Sequence, residues 1–187
     1  NGKLVYSHTG GVDGFLSSVM FIPEEKLGIV VLTNTDQNNF YQNLTDAIRD
    51  AFLGLPYQEY SKTSLEIFKQ EKLKEDKRID SLKKIVSQKF IPSLPLKKYS
   101  GKYFNEVYGD IEIKLENNKL NIYFSNHPKL IGRLEHIKNN TFLCSYSNST
   151  FGIVEIPFQI KNDQVTWLTL RVSDFVELTP YEFSKIN

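Results

Sequence analysis

The chain has 187 residues, with 23 Lys and Arg against 22 Asp and Glu for a formal net charge of +1, and is 40% hydrophobic and 24% charged. That length allows one domain of ordinary size or two small ones, and the composition belongs to a globular chain rather than a disordered or collagen-like one. So even a charge balance supplies no basic field for phosphates, which excludes electrostatically driven nucleic-acid binding and gives no reason to expect acidic partners.

A single cysteine, Cys144, excludes an internal disulfide. It lies in the strand-like "TFLCSY" with no His or Asp at metal-ligand spacing, so a buried, inert thiol is expected and no metal or cofactor is implied. No run of 18 or more apolar residues is present, and the front of the sequence carries neither a basic leader nor an apolar run of signal-peptide type. Asn1 at the front and a lone methionine, Met20, read as a piece of a longer protein.

Residues 1 to 35 hold "LVYS", "FLSSVMFI" and "LGIVVLTN", apolar β-branched runs separated by "GGVDG" and "PEEK". They predict a meander of three strands, and the nearly uniform "GIVVLTN" predicts a strand covered on both faces. The next run, "NNFYQNLTDAIRDAFLGLP", spaces Phe40, Leu44, Ile48, Ala51 and Phe52 by threes and fours. That predicts a helix capped by Asn38 or Asn39 and closed by Gly54 and Pro56.

Residues 61 to 91 are charged at most positions and keep a narrow apolar stripe of Leu65, Phe68, Leu73, Ile79, Leu82, Val86 and Phe90. An amphipathic membrane helix is one reading of such a stripe. The interleaved Glu66, Glu71, Glu75, Asp76 and Asp80 favour a solvated connecting helix, supported by ion pairs of about 0.2 to 0.5 kcal/mol each. Pro92 and Pro95 then mark a domain boundary.

From residue 96 the pattern alternates and is punctuated by turns. "DIEIKLE" sets Ile111, Ile113 and Leu115 on one face, Asn117 and Asn118 turn the chain, and "KLNIYF" sets Leu120, Ile122 and Phe124 on one face. "RLEHIK" and "TFLCSY" about Asn139 and Asn140, then "IVEIPFQI" and "VTWLTL" about "KNDQ", repeat the device, and "FVELTPY" offers a closing strand. Seven or eight strands predict a small antiparallel barrel or half-barrel, with Pro157 at an edge or bulge. The ten aromatics Tyr99, Tyr103, Phe104, Tyr108, Phe124, Phe142, Tyr146, Phe151, Phe158 and Trp167 fill its core on one reading and line a ligand cavity on the other.

"HTGGVDGF" concentrates Gly10, Gly11 and Gly14 with Asp13 in a short stretch. Glycines let a backbone approach a ligand and aim amides at a developing oxyanion, whereas the plain alternative is a glycine-rich hairpin with a surface His8. The longer stretch "YSHTGGVDGFLSSVMFIPEEKLGIVVLTNTD", followed by a helix ending in "GLP", resembles the end of the catalytic domain of serine β-lactamase-like and penicillin-binding-protein-like hydrolases, in their class C and esterase branch. That resemblance implies that His8, Thr9 and Gly10 occupy the KTG box in its HTG form and that the Gly11 amide is an oxyanion-hole donor. "LPLKKYSGKYFNEVYGDIEIKLENNKLNIYF" and "LEHIKNNTF" resemble the lipocalin-like C-terminal domain of unknown function (DUF3471-like) appended to such hydrolases.

Together the resemblances imply an α+β chain. Residues 1–56 would be the end of a β-lactamase-like α/β domain, 57–94 a charged helical linker, and 95–187 a lipocalin-like antiparallel β-domain. They also imply an acyl-enzyme mechanism on ester, amide or β-lactam-like carbonyls of a small-molecule or peptide substrate, and a bacterial envelope, periplasmic or secreted location. The His in place of Lys leans toward an esterase or peptidase. The family's SxxK nucleophile box is expected upstream, leaving this chain inactive alone: "SLKK" at Ser81 falls in the charged helix after the HTG box, and "YFN" at 103 to 105 falls in the barrel. Glu135 and His136 are strand neighbours on opposite faces and do not make an acid–base pair. The competing reading is a self-sufficient barrel that binds a small molecule or a partner protein, its N-terminal strands pairing into a homodimer.

Overall fold

The structure, a computed structural model, describes residues 2–12, 14–174 and 176–186. Asp13, one of the turn residues singled out above, lies outside the described residues. Two compact units divide the chain, 1–76 and 77–187.

In the first unit β1 (Tyr6–Val12), β2 (Phe15–Ile22) and β3 (Leu27–Thr33) form the expected meander, in the order β1-β2-β3. "PEEK" makes a 3-10 turn closed by Lys26 in the left-handed region at φ 51°. The Gly14 amide donates to Asp36 Oδ2 at 2.9 Å, tying the first turn to the chain after β3.

Helix α1 (Phe40–Phe52) packs on one face of this sheet, where Met20, Ile22, Leu27, Ile29 and Val31 are buried against Tyr41, Leu44 and Leu53. Asn39 stands at the N-cap position without a side-chain bond, and the capping oxygen is Asn38 Oδ1, which accepts from the Phe40 amide at 2.9 Å. Gly54 at φ 63° ends it, and the Leu55 amide returns to the Asp50 carbonyl at 2.9 Å. Of the stripe read from sequence only Leu44 meets the sheet. Phe40, Ile48, Ala51 and Phe52 are exposed, because the helix is turned so that Tyr41, Thr45 and Asp50 face inward.

The expectation that "GIVVLTN" is covered on both faces does not hold. A single helix packs on this sheet, so Val30 and Leu32 of β3 stand 67% and 77% exposed, beside exposed Val19 and Phe21 of β2.

Helix α2 (Tyr60–Ser87) is the charged helix, and the division between the units falls within it. No described helix is long and apolar enough to cross a membrane.

The second unit is an eight-stranded closed antiparallel barrel. After the single turn of α3 (Leu96–Tyr99) come β4 (Gly101–Asn105), β5 (Gly109–Glu116), β6 (Lys119–Phe124), β7 (Ile131–Lys138), β8 (Thr141–Tyr146), β9 (Ile153–Lys161), β10 (Gln164–Leu170) and β11 (Tyr181–Ile186). Closure comes from β11, which pairs with both β10 and β4. Three hairpin turns put both central residues in the left-handed region: Asn117 and Asn118, Asn139 and Asn140, Asn162 and Asp163. Such paired left-handed residues match the right-handed twist of the strands they join.

Two expectations are corrected. Phe175, the first residue of "FVELTPY", lies outside the described residues, and from Val176 on the closing strand begins only at Tyr181: Pro180 has no amide to donate, and the Val176 and Glu177 amides turn back to the Ser173 carbonyl. Closure removes any edge at Pro157, which lies at the end of the β8 to β9 ladder opposite Thr141. Inward-facing residues of every strand fill one core, from Tyr103, Ile111 and Ile122 to Phe142, Cys144, Leu168 and Phe183.

Candidate functional site

The run His8 to Gly11 lies in β1, at one edge of the three-stranded sheet. Its register against β2 is His8 with Val19, Thr9 with Ser18, Gly10 with Ser17 and Gly11 with Leu16. Side chains alternate along a strand and cross-strand partners share a face, so His8 and Gly10 belong to the open face with Val19, while Thr9 and Gly11 belong to the α1 face with Ser18. The strand therefore separates His8 from Thr9, leaving only backbone groups of the run available to both sides. His8 Nδ1 donates to the Thr9 carbonyl at 2.6 Å, and Ser17 Oγ donates to the Gly10 carbonyl at 3.2 Å. A Cβ at Gly10 would stand 3.0 Å from Ser17 Oγ and one at Gly11 would stand 3.1 Å from Leu16 Cδ2. A side chain at either position would therefore need Ser17 or Leu16 to give by a few tenths of an ångström.

The letter matches to catalytic boxes resolve into structure. Ser81 Oγ donates to the Lys77 carbonyl one turn back along α2, at 2.8 Å. Tyr103 is fully buried with its hydroxyl donating to the Tyr99 carbonyl at 2.6 Å, and desolvation holds that phenol well above its ordinary range. Asn105 Oδ1 accepts from the Val107 and Tyr108 amides, a turn-forming role. His136 Nδ1 donates to the Phe90 carbonyl at 2.9 Å with its ring against Phe142, while Glu135 pairs with Arg133 at 3.1 Å. Burial pushes the Cys144 thiol up to about 12, an inert thiol as expected. Among the described residues no three His, Cys, Asp or Glu side chains are grouped to hold a metal ion.

The two ends of the barrel differ. At one end the three short Asn-rich turns and α3 close the lumen, with Tyr99, Phe142 and Phe158 packed edge to face at centroid distances of 5.0 to 5.3 Å. At the other end the connections 106–108, 125–130, 147–152, 171–174 and 176–180 surround a cavity of about 430 Å³. Leu130, Leu170 and Phe183 are buried in its wall, and Tyr108, Glu177 and Tyr181 stand at its polar side. The Tyr108 phenol is pushed up to about 12, chiefly by desolvation and then by Tyr181 and Glu177.

The ten aromatics thus divide: Tyr99, Tyr103, Phe142, Tyr146 and Phe158 are core, Tyr108, Phe124 and Phe151 line the cavity, and exposed Phe104 and half-buried Trp167 do neither. Glu177, Leu130 and Tyr181 carry no signal in the sequence that groups them, because four separate loops bring the cavity together.

Residues 87–185 match a family described as a domain of unknown function, DUF3471, over just more than half of the chain. No curated protein matches. Among solved structures, the crystal structure of SurE with D-Leu is similar at 13% identity and a TM-score of 0.39, covering 97% of this chain and 35% of that one. A further crystal structure of SurE gives 13%, 0.38, 97% and 34%. The chain spans about a third of the length of these solved chains, and a likeness so distant bears no weight for fold or function. The match over 87–185, which takes in the whole barrel up to Lys185, makes the chain a member of the DUF3471 family.

Proposed function

We propose that the chain is the C-terminal part of a serine hydrolase of the β-lactamase-like and penicillin-binding-protein-like kind, acting on ester, amide or β-lactam-like carbonyls. The observation that supports this reading is the open apolar face of the β1-β2-β3 sheet. Val19, Phe21, Val30 and Leu32 are exposed there, on the face that carries His8. A sheet with one helix on one side and an apolar surface on the other is half of a layered domain. In the proposed enzyme a further layer covers that face and brings the nucleophilic serine. The serine oxygen adds to the substrate carbonyl, the leaving group departs with a proton, and water then cleaves the acyl-enzyme.

The Gly11 amide would supply one oxyanion donor. His8 and Thr9 would orient the substrate or its carboxylate, although the strand sets their side chains on opposite faces of the sheet. Alone, the chain would be inactive.

A second reading, a barrel that binds a ligand or a partner without catalysis, draws support from the cavity. The two are separated by the intact mass of the protein made in its own cell, before and after a fluorophosphonate that traps active serines. A species well above 21.7 kDa that gains one adduct is expected. A species near 21.7 kDa with no adduct would end the hydrolase reading.

A further inference from the structure

The cavity at the open end of the barrel has a built chemical polarity. Its floor and walls are apolar: Phe124, Leu130, Leu170 and Phe183. One side is polar and organised around the Glu177 carboxylate. Glu177 Oε2 accepts from the Tyr108 hydroxyl at 3.3 Å and from the Tyr181 hydroxyl at 3.5 Å, and Oε1 accepts from the Thr179 amide at 3.2 Å. The two tyrosine rings meet edge to face with centroids 4.6 Å apart.

No cation among the described residues pairs with Glu177. Both phenols are turned toward the carboxylate, so this corner presents a ligand with oxygen lone pairs, aromatic faces and one negative charge. Among the described lining residues the one arginine, Arg171, is engaged by Asp174 at 2.7 Å, and His127 is the other basic side chain of the lining.

The loops are bound to one another before any ligand arrives. Asn126 Nδ2 donates to the Tyr108 carbonyl at 3.1 Å, the Ser173 amide to the Phe151 carbonyl at 2.9 Å, and Tyr146 Oη to the Arg171 carbonyl at 2.7 Å. A preformed cup loses less entropy on binding than one that must assemble.

We infer that this cavity binds a small amphiphilic amine, its apolar body against Phe124, Leu130 and Leu170 and its ammonium group at Glu177 between Tyr108 and Tyr181. The inference concerns the barrel alone and is independent of the hydrolase reading.

The test titrates octylammonium, octanol and octanoate into the full chain at pH 8 by calorimetry and follows backbone amides by NMR. Octylammonium is expected to bind about tenfold more tightly than octanol or octanoate, the order that a hydrogen-bonded charge provides. Shifts should concentrate in 106–108, 125–130 and 171–181. Glu177→Gln should lower octylammonium to the octanol level while the amide spectrum of the barrel strands stays in place, and Val172→Trp should abolish binding of all three by filling the cavity. The inference is overturned if none of the three binds, if octanoate equals octylammonium, if Glu177→Gln leaves the preference intact, or if the shifts lie elsewhere on the barrel.

Discussion

Tyr99 Oη donates a 2.6 Å hydrogen bond to Asn140 Oδ1, joining the single turn of α3 to the β7 to β8 hairpin across 41 residues of sequence. The Tyr99 carbonyl in turn accepts from Tyr103 Oη, so one residue secures the closed end of the barrel from two sides. Tyr99→Phe keeps the ring packing and loses one partner for Asn140, and should cost about 1 kcal/mol. Tyr99→Ala also empties the aromatic corner against Phe142 and Phe158 and should cost about 3 to 5 kcal/mol. Trp167, the only tryptophan, lies on β10, so its fluorescence in a denaturant titration reports the barrel. Equal losses from the two variants would contradict this account.

Much of the barrel can be read from local chemistry. Paired left-handed residues need Asn, Asp or Gly, and three such pairs stand between alternating runs, so three hairpins are visible in the letters. Closure is not, because the pairing of β11 with β4 joins residues some eighty positions apart, and no local pattern encodes it. Leu115 shows a related limit: it shares the alternation of Ile111 and Ile113 yet is exposed, since it lies at the rim where the lumen ends. At the candidate site, the edge strand is legible in "HTGGV". The separation of His8 from Thr9 follows from strand period alone and was available to inspection, whereas the cavity required four loops to be in place.

Gly132 on β7 faces the barrel interior, where a Cβ would come within 2.7 Å of Cys144 Sγ and 3.4 Å of the Tyr146 ring. Gly132→Ala should therefore destabilise the barrel by about 1 to 3 kcal/mol through overpacking. Cys144→Ala removes the sulfur it strikes, so the double variant should recover part of the loss, a coupling of at least about 0.5 kcal/mol in a double-mutant cycle. Strict additivity would show that the contact does not govern the cost. The same thiol, fully buried, should stay unlabelled by Ellman's reagent until the barrel unfolds.

Asp50 on α1 is 5% exposed and accepts from Tyr60 Oη at 2.6 Å and from Arg49 at 2.8 Å, and Arg49 also holds Asp46 at 2.7 Å. The Tyr60 hydrogen bond, opposed by desolvation and aided by Arg49, lowers the Asp50 carboxyl below its ordinary value. A carboxyl lowered by folding contributes stability above its unfolded value, near pH 4, and loses that contribution as pH falls through the lower folded value. The protection factors of α1 amides, exchange being referred to the intrinsic rate at each pH, should therefore fall below about pH 4 in the natural chain, and this acid dependence should shrink in Asp50→Asn. At neutral pH Asp50→Ala should cost α1 about 1 to 3 kcal/mol and Tyr60→Phe less. An unchanged acid limb in Asp50→Asn would refute the role given to this carboxylate.

The open sheet face makes a prediction about the chain on its own. Val19 and Val30 are directly opposite one another on β2 and β3, Leu32 and Phe21 extend the patch, and β1 presents an unpaired edge beside it. Contiguous exposed apolar surface with a free strand edge favours self-association, so the isolated chain should pair with a second copy through its N-terminal strands. Val30→Lys with Leu32→Lys places two charges on that face without touching the residues packed under α1. Sedimentation should show the unaltered chain heavier than a monomer at micromolar concentration and the double variant monomeric, with the Trp167 transition of the barrel unmoved. A monomer in both cases would mean that the open face drives no association by itself, and would withdraw the homodimer while leaving the covering layer of the proposed hydrolase to be sought by mass.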